Sequence, residues 1–265
     1  MVSGTMKKLN IYFLFLCLFP LCCLAQRPAQ GPMTSSVFKP LELGYRLVWE
    51  DEFLGIQLDT TKWKPRGLGK RALGYVSKEA IRVENGLLKL QALKRNDSIL
   101  ISAVGTQDLF MPRYGYFECR AQLQKSPGVW GAFWLQSPRL SEGSDPQVYG
   151  AEVDIMEFFK KLGKDIVSHN VHWGPYGAGQ QSTRGMQSYL QGVSEGFHTF
   201  GLEWTEDKYA FFVDGLKFYE VQAGVSRIPE YLILSMEIPN VLADLSKTVY
   251  PDEFLVDYVK VYQKP

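Results

Sequence analysis

Apolar and polar positions alternate with a period of two along much of this chain, and that period belongs to strands with one buried face. The clearest stretch is 116–123, where Tyr116, Glu118, Arg120 and Gln122 oppose Phe117, Cys119, Ala121 and Leu123. Short runs rich in β-branched and aromatic residues recur from Gly44 onward: "YRLVWEDEF", "LLKLQALK", "YGYFECRAQL", "WGAFWLQ", "EVDIMEFF", "IVSHNVHW", "FHTFGLEWT", "KYAFFVDG", "YLILSME" and "LVDYVKVYQ". Turn residues separate them. "ENG" at 84–86 and "DG" at 214–215 sit where a tight hairpin needs positive φ. No stretch makes a convincing helix. The pattern continues without a compositional break from 44 to 263, which predicts one all-β domain, an antiparallel β-sandwich of about ten strands or more.

Upstream of this pattern the texture differs. Residues 26–43, "QRPAQGPMTSSVFKPLEL", are rich in Pro, Gln and Ser without a period, and read as a linker or N-terminal arm. Residues 1–25 place Lys7 and Lys8 before the apolar run "IYFLFLCLFPLCCLA", with Ala25 just before Gln26, the layout of a secretory signal peptide. Pro20 and the short run argue against a membrane anchor, which needs roughly 20 apolar residues. Cys22 or Cys23 is an alternative lipid attachment point, but "FPL" and "PLC" are poor lipoprotein processing sites. The expectation is therefore a secreted or periplasmic protein, cell-surface attachment being the alternative, with no membrane span after processing.

Composition narrows the class further. The chain has 265 residues, 46% of them hydrophobic and 14% aromatic, and 29 basic residues against 28 acidic leave a net charge of +1. So even a balance, with no long basic cluster, gives no electrostatic footprint for nucleic acid. Three of the four cysteines lie in the leader, so the exported domain keeps only Cys119 and forms no internal disulfide. Nothing resembles a Gly-rich phosphate loop entering a helix, so no nucleotide cofactor is expected. The expectation is a monomer needing no cofactor.

The candidate chemistry is concentrated in "GAEVDIMEFF", residues 150–159, an apolar strand interrupted by Glu152, Asp154 and Glu157. Side chains at i and i+2 share a face, so Glu152 and Asp154 point one way while Val153 and Ile155 point into the core. A regular strand would then bury Glu157, and an unpaired buried carboxylate is costly. One extra residue, a β-bulge at Ile155 or Met156, returns Glu157 to the acidic face. Two glutamates flanking an aspartate on one face are the equipment for retaining glycosidic cleavage: one carboxylate attacks the anomeric carbon and the other protonates the leaving oxygen. The two must differ in protonation at one pH, and close like charges push their pKa values apart.

With these residues, "EVDIME" resembles the bulged active-site strand of glycoside hydrolase family 16. "YGYFECRAQL", "GVWGAFWLQ", "FHTFGLEWT", "YAFFVDG" and "VDYVKVYQ" resemble that family's strands in their usual order, over most of 44–263. The resemblance implies a concanavalin A-like jelly roll with an open concave cleft, a catalytic domain over 44–265, Glu152 as nucleophile, Glu157 as acid/base and Asp154 as helper. It also implies an endo-acting enzyme on a polysaccharide or oligosaccharide, with β-1,3- or β-1,3/1,4-glucan as the leading substrate. A galactan such as agar or porphyran, or a host O-glycan, remains open, because "GKRALGYVSKEAIRVENG" and "SMEIPN" depart from the pattern of β-1,3-glucan-active members. A glycan-binding sandwich without catalysis also fits the fold and aromatics, and transglycosylation would use the same three acids.

Sugar rings are held by aromatic faces and polar neighbours. Trp130 and Trp134, four apart, share a face on a regular strand, with Gly and Ala between them leaving space. In "SHNVHWG", Ser168, Asn170 and His172 share one face and His169, Val171 and Trp173 the other, which argues against His169 and His172 binding one metal. Asn170 is taken as a substrate-binding candidate, and His172 as the histidine that family members often carry near the acid/base residue. Glu237, ending an apolar strand, is a candidate for the cleft floor, with a salt-bridged or loop-facing acid as the alternative. Asp257 resembles a position near which some family members hold calcium, although one acid does not define such a site.

Overall fold

The computed structural model describes residues 28–240 and 244–265. The segment read as a signal peptide, 1–25, lies outside them. Strands of four residues or more are, in chain order, β1 (Arg46–Asp51), β2 (Ile81–Glu84), β3 (Leu87–Arg95), β4 (Ser98–Gly105), β5 (Gly115–Gln122), β6 (Trp130–Gln136), β7 (Ala151–Phe158), β8 (Ile166–Trp173), β9 (Met186–Tyr189), β10 (His198–Trp204), β11 (Tyr209–Val213), β12 (Leu216–Val221), β13 (Tyr231–Glu237) and β14 (Asp252–Gln263). Every run quoted above forms one of them. The helical content of the described residues is limited to Pro146–Tyr149 and short 3-10 turns.

The strands form two layers. The cleft sheet runs β4-β13-β6-β7-β8-β9, and the outer sheet runs β2-β3-β14-β5-β10-β11-β12, all antiparallel. β1 joins the C-terminal half of β14, and the β3–β4 hairpin crosses between the layers. Two tight turns have the conformation their residues allow: Asn85 and Gly86 at φ 56 and 72, Asp214 and Gly215 at φ 49 and 71.

Between the layers lies one apolar core. Phe117, Cys119 and Ala121 of β5 and Phe200 and Leu202 of β10 meet Phe133 and Leu135 of β6 and Val153 and Ile155 of β7, all at 0% exposure. Each large side chain so buried contributes about 1.5–3 kcal/mol. Cys119, the one cysteine among the described residues, is free and buried in this core.

Part of the stretch read as a linker or arm lies along the sandwich. The Gln30 N–H donates to Gln187 O (2.9 Å), the Met33 N–H to Lys217 O (2.7 Å) and the Phe38 N–H to Gly215 O (2.8 Å), while the Phe38 ring stacks on Tyr116 with centroids 4.6 Å apart. Among the described residues no helix is long and apolar enough to cross a membrane.

Candidate active site

The bulge in β7 is present. Against β6, Asp154 pairs with Trp134 and Met156 with the next residue back, Phe133; against β8, Asp154 pairs with Asn170 and Glu157 with Ser168. One residue of β7 is therefore supernumerary on both sides. Ile155 and Met156 both enter the core at 0% exposure, and Glu152, Asp154 and Glu157 line one cavity on the opposite face. Two adjacent apolar residues absorb the extra step, so no carboxylate is driven into the interior.

The cavity measures about 390 Å³. β6, which is regular, contributes Trp130, Ala132, Trp134 and Gln136, alternate residues of one face. Ser235 and Glu237 come from β13. Both candidate tryptophans thus line the cleft, in different states. The Trp130 ring stacks on Phe159 with centroids 5.3 Å apart and stays partly exposed. Trp134 is 6% exposed, its indole N–H donates to Ser235 Oγ (3.2 Å), and the Arg66 guanidinium lies 4.9 Å from its ring centroid. Glu237 reaches the cleft and is also ion-paired, to Arg71.

Arg66, Arg71 and Tyr176 complete the lining, and no pattern in the sequence singles them out. Arg66 lies just past the two-residue strand 64–65, Arg71 ends the short strand 69–71, and Tyr176 sits in the loop after β8. Gln136 is a further lining residue whose one sequence signal is its spacing from Trp130 and Trp134, which marks its face. Its Nε2 donates to Glu152 Oε2 (3.0 Å), and its Oε1 accepts from the Tyr231 hydroxyl and from Arg66.

Electrostatics separates the acids. Burial, then the charge of Asp154, pushes the Glu152 carboxyl above the ordinary range; hydrogen bonds from Tyr176 and Gln136 and the nearness of His172 oppose the rise. Glu157 is likewise held well above the ordinary range, by burial and then by Asp154, Glu152 and Glu237, while a hydrogen bond with the Trp130 indole opposes the rise. Both keep a partial opening to the cleft. Glu157 is thus the carboxyl that holds its proton, and Glu152 the one its donors favour in charged form.

The β8 candidates stand beside this cavity, not in its lining. Antiparallel pairing runs β8 backwards past β7, so His172 lies across from Glu152, and Ser168, not His172, lies across from Glu157. His172 therefore does not neighbour the acid/base candidate. Its Nε2 stands 3.4 Å from Asp154 Oδ2 and 2.9 Å from Asn170 Nδ2. Burial lowers its proton affinity, but the hydrogen bond and charge of Asp154, with Glu152, outweigh this and raise the pKa. Asn170 is engaged within the protein: its Oδ1 accepts from Thr183 Oγ1 (2.8 Å) and the Val171 and Gly185 N–H groups, holding the 183–185 turn.

His169 faces the core, as its alternation requires. Its ring nitrogens lie 2.6 Å from Ile155 O and 2.7 Å from Ser188 Oγ, and burial lowers its pKa to about 4. Glu152, Asp154 and His172 bring donor atoms within 4.8 Å of one another. Asp257, on the outer sheet, forms an ion pair with Arg120 at 2.5 Å.

The sequence model of glycosyl hydrolases family 16 matches residues 70–249, a span that includes the bulged strand, β6 and β13. The chain belongs to that family. Among family 16 relatives, "Glucan endo-1,3-beta-glucosidase A1" of Niallia circulans is 28% identical over 85% of this chain, and "Beta-glucanase" of Rhodothermus marinus is 27% identical over 83%. The chain spans 39% of the length of the first and 85% of the second. A structure solved in work on endo-acting O-glycanases, which prominent members of the human gut microbiota express to initiate mucin breakdown, superposes with a TM-score of 0.70 at 26% identity, covering 83% of this chain and 91% of that one.

Proposed function

We propose that this family 16 protein is an exported, endo-acting retaining glycoside hydrolase that cuts internal β-1,3 or β-1,3/1,4 bonds of a glucan. The observation that carries the reading is the bulge that sets Glu152, Asp154 and Glu157 on one face of one cavity. Glu152 attacks the anomeric carbon as its carboxylate, while Glu157 gives its proton to the departing glycosidic oxygen; a glycosyl ester on Glu152 results. Water then enters, Glu157 takes its proton, the oxygen bonds to the anomeric carbon, and Glu152 leaves as carboxylate with the β configuration restored. Asp154, between the two, keeps Glu157 protonated through its charge. The site residues are those of an enzyme, since binding alone requires no such trio. The glucan preference follows the similarity to the Niallia circulans glucan endo-1,3-beta-glucosidase and the Rhodothermus marinus beta-glucanase, and export follows the leader-like residues 1–25.

A second reading, the same chemistry on an O-glycan or a galactan, is favoured by Arg66. Its guanidinium covers part of the Trp134 face on which a glucose ring would stack, and two arginines line the cleft. The test is a panel of laminarin, mixed-linkage glucan, agar, porphyran and mucin O-glycans, read by product mass. Oligosaccharide ladders from laminarin or mixed-linkage glucan, with the others uncut, are expected. Cleavage of only mucin or a galactan would favour the second reading, and binding of every glycan with no cleavage would sink the enzymatic one.

A further inference from the structure

The loop after β8 brings Tyr176 over the cleft. The turn at its base is made by Gly174 at φ +81, where a Cβ would lie 2.6 Å from Gly179 O, and the residue after Tyr176 is Gly177 at φ +95. Neither position suits a residue with a side chain. Tyr176 stays 50% exposed, yet its hydroxyl reaches Glu152 Oε2 and Gln136 Nε2. Gln136 Nε2 is itself held on Glu152 Oε2, because Gln136 Oε1 is taken by Arg66 and Tyr231. An amide nitrogen only donates, so the Tyr176 proton has Glu152 Oε2 as its acceptor.

We propose that Tyr176 is a positioning residue for Glu152: together with Gln136 it pins Oε2, and so fixes Oε1 as the oxygen that attacks. This rests on the reading of Glu152 as nucleophile. The same bond sets when Glu152 can attack. Glu152 is faced by Asp154 and Glu157 on its own strand, by His172 on β8, by Arg71 in the cleft lining, by Glu230 just before β13 and by Tyr176. Burial and Asp154 favour the neutral acid; of the contributions that favour the carboxylate, the Tyr176 hydrogen bond is the largest. Burial and the neighbouring carboxylates hold the phenol itself far above its ordinary pKa, so it remains a donor at every working pH.

The decisive variant is Tyr176→Phe, which keeps a half-exposed ring and removes one oxygen, so folding is unaffected. Glutamates labelled with 13C at the carboxyl are titrated by NMR, the Glu152 resonance being the one lost in Glu152→Gln. Loss of the phenol should raise the Glu152 midpoint by about one unit, a roughly tenfold change in its ionisation equilibrium. On laminarin the acidic limb of kcat should move to higher pH by the same amount. An unmoved midpoint, or a change confined to KM, overturns the inference and leaves Tyr176 as a sugar contact. A midpoint that moves while Glu152→Gln still cuts laminarin upholds the hydrogen bond but removes Glu152 as nucleophile, so the two failures are distinct.

Discussion

Glu152→Gln is expected to lower kcat by about four orders of magnitude or more while leaving oligosaccharide binding nearly unchanged. The amide is isosteric and the strand is retained, so cleft shape, tryptophans and Glu157 remain. What is lost is the electron pair that bonds to the anomeric carbon. Steady-state rates with binding by calorimetry separate the two effects. Activity within tenfold of wild type would mean that another group attacks. An equal fall in affinity would mean that Glu152 holds sugar instead of reacting with it.

Glu157→Ala is the second large effect, and its signature differs. General acid–base assistance is worth about 10²–10⁴ in rate, and the loss should scale with how much the departing oxygen needs a proton. Polysaccharide cleavage should fall through that range, whereas an aryl β-glycoside with an acidic phenol should still form the glycosyl-enzyme readily. Added azide should then restore turnover by attacking the ester without a base. The pH sign follows from the raised Glu157 carboxyl. The wild-type rate should fall as pH rises through its ionisation, because the acid is lost. In the alanine variant that alkaline limb should disappear for the aryl substrate. Persistence of the limb would assign it to another group.

The parts of this molecule legible from sequence are those in which one strand carries its own register. The alternation in 116–123 reports a buried face directly, and the β7 acids sit in a run whose apolar partners fix the face. A period-two count places Glu157 wrongly unless one residue is looped out, so the irregularity itself is readable. The regular β6 likewise displays Trp130 and Trp134 as a pair, and Gln136 shares their face but has no chemistry of its own that draws notice. Arg66 and Arg71 lie at or beside pairings of two and three residues, too short to show a period. Tyr176 reaches Glu152 across 24 positions of sequence from a glycine-rich loop. Position in such segments is set by backbone turns and tertiary contacts, not by local pattern.

The position of His172 shows the same boundary. Alternation gives its face on β8 correctly, but which β7 acid it meets depends on strand order and direction, and antiparallel pairing puts it by Asp154 and Glu152. Asn170 has the right face too, yet a turn thirteen residues later claims its Oδ1. Alternation tells which side a residue takes; it does not tell what already occupies that side.

If Glu152 and Glu157 act in sequence on one anomeric centre, the configuration of the first product reports it directly. Proton NMR of a reducing-end anomeric signal in the first minutes of laminarin cleavage, before mutarotation, should show the β anomer formed first. Initial release of the α anomer would mean that water attacks in a single step, and would contradict a glycosyl-enzyme on Glu152.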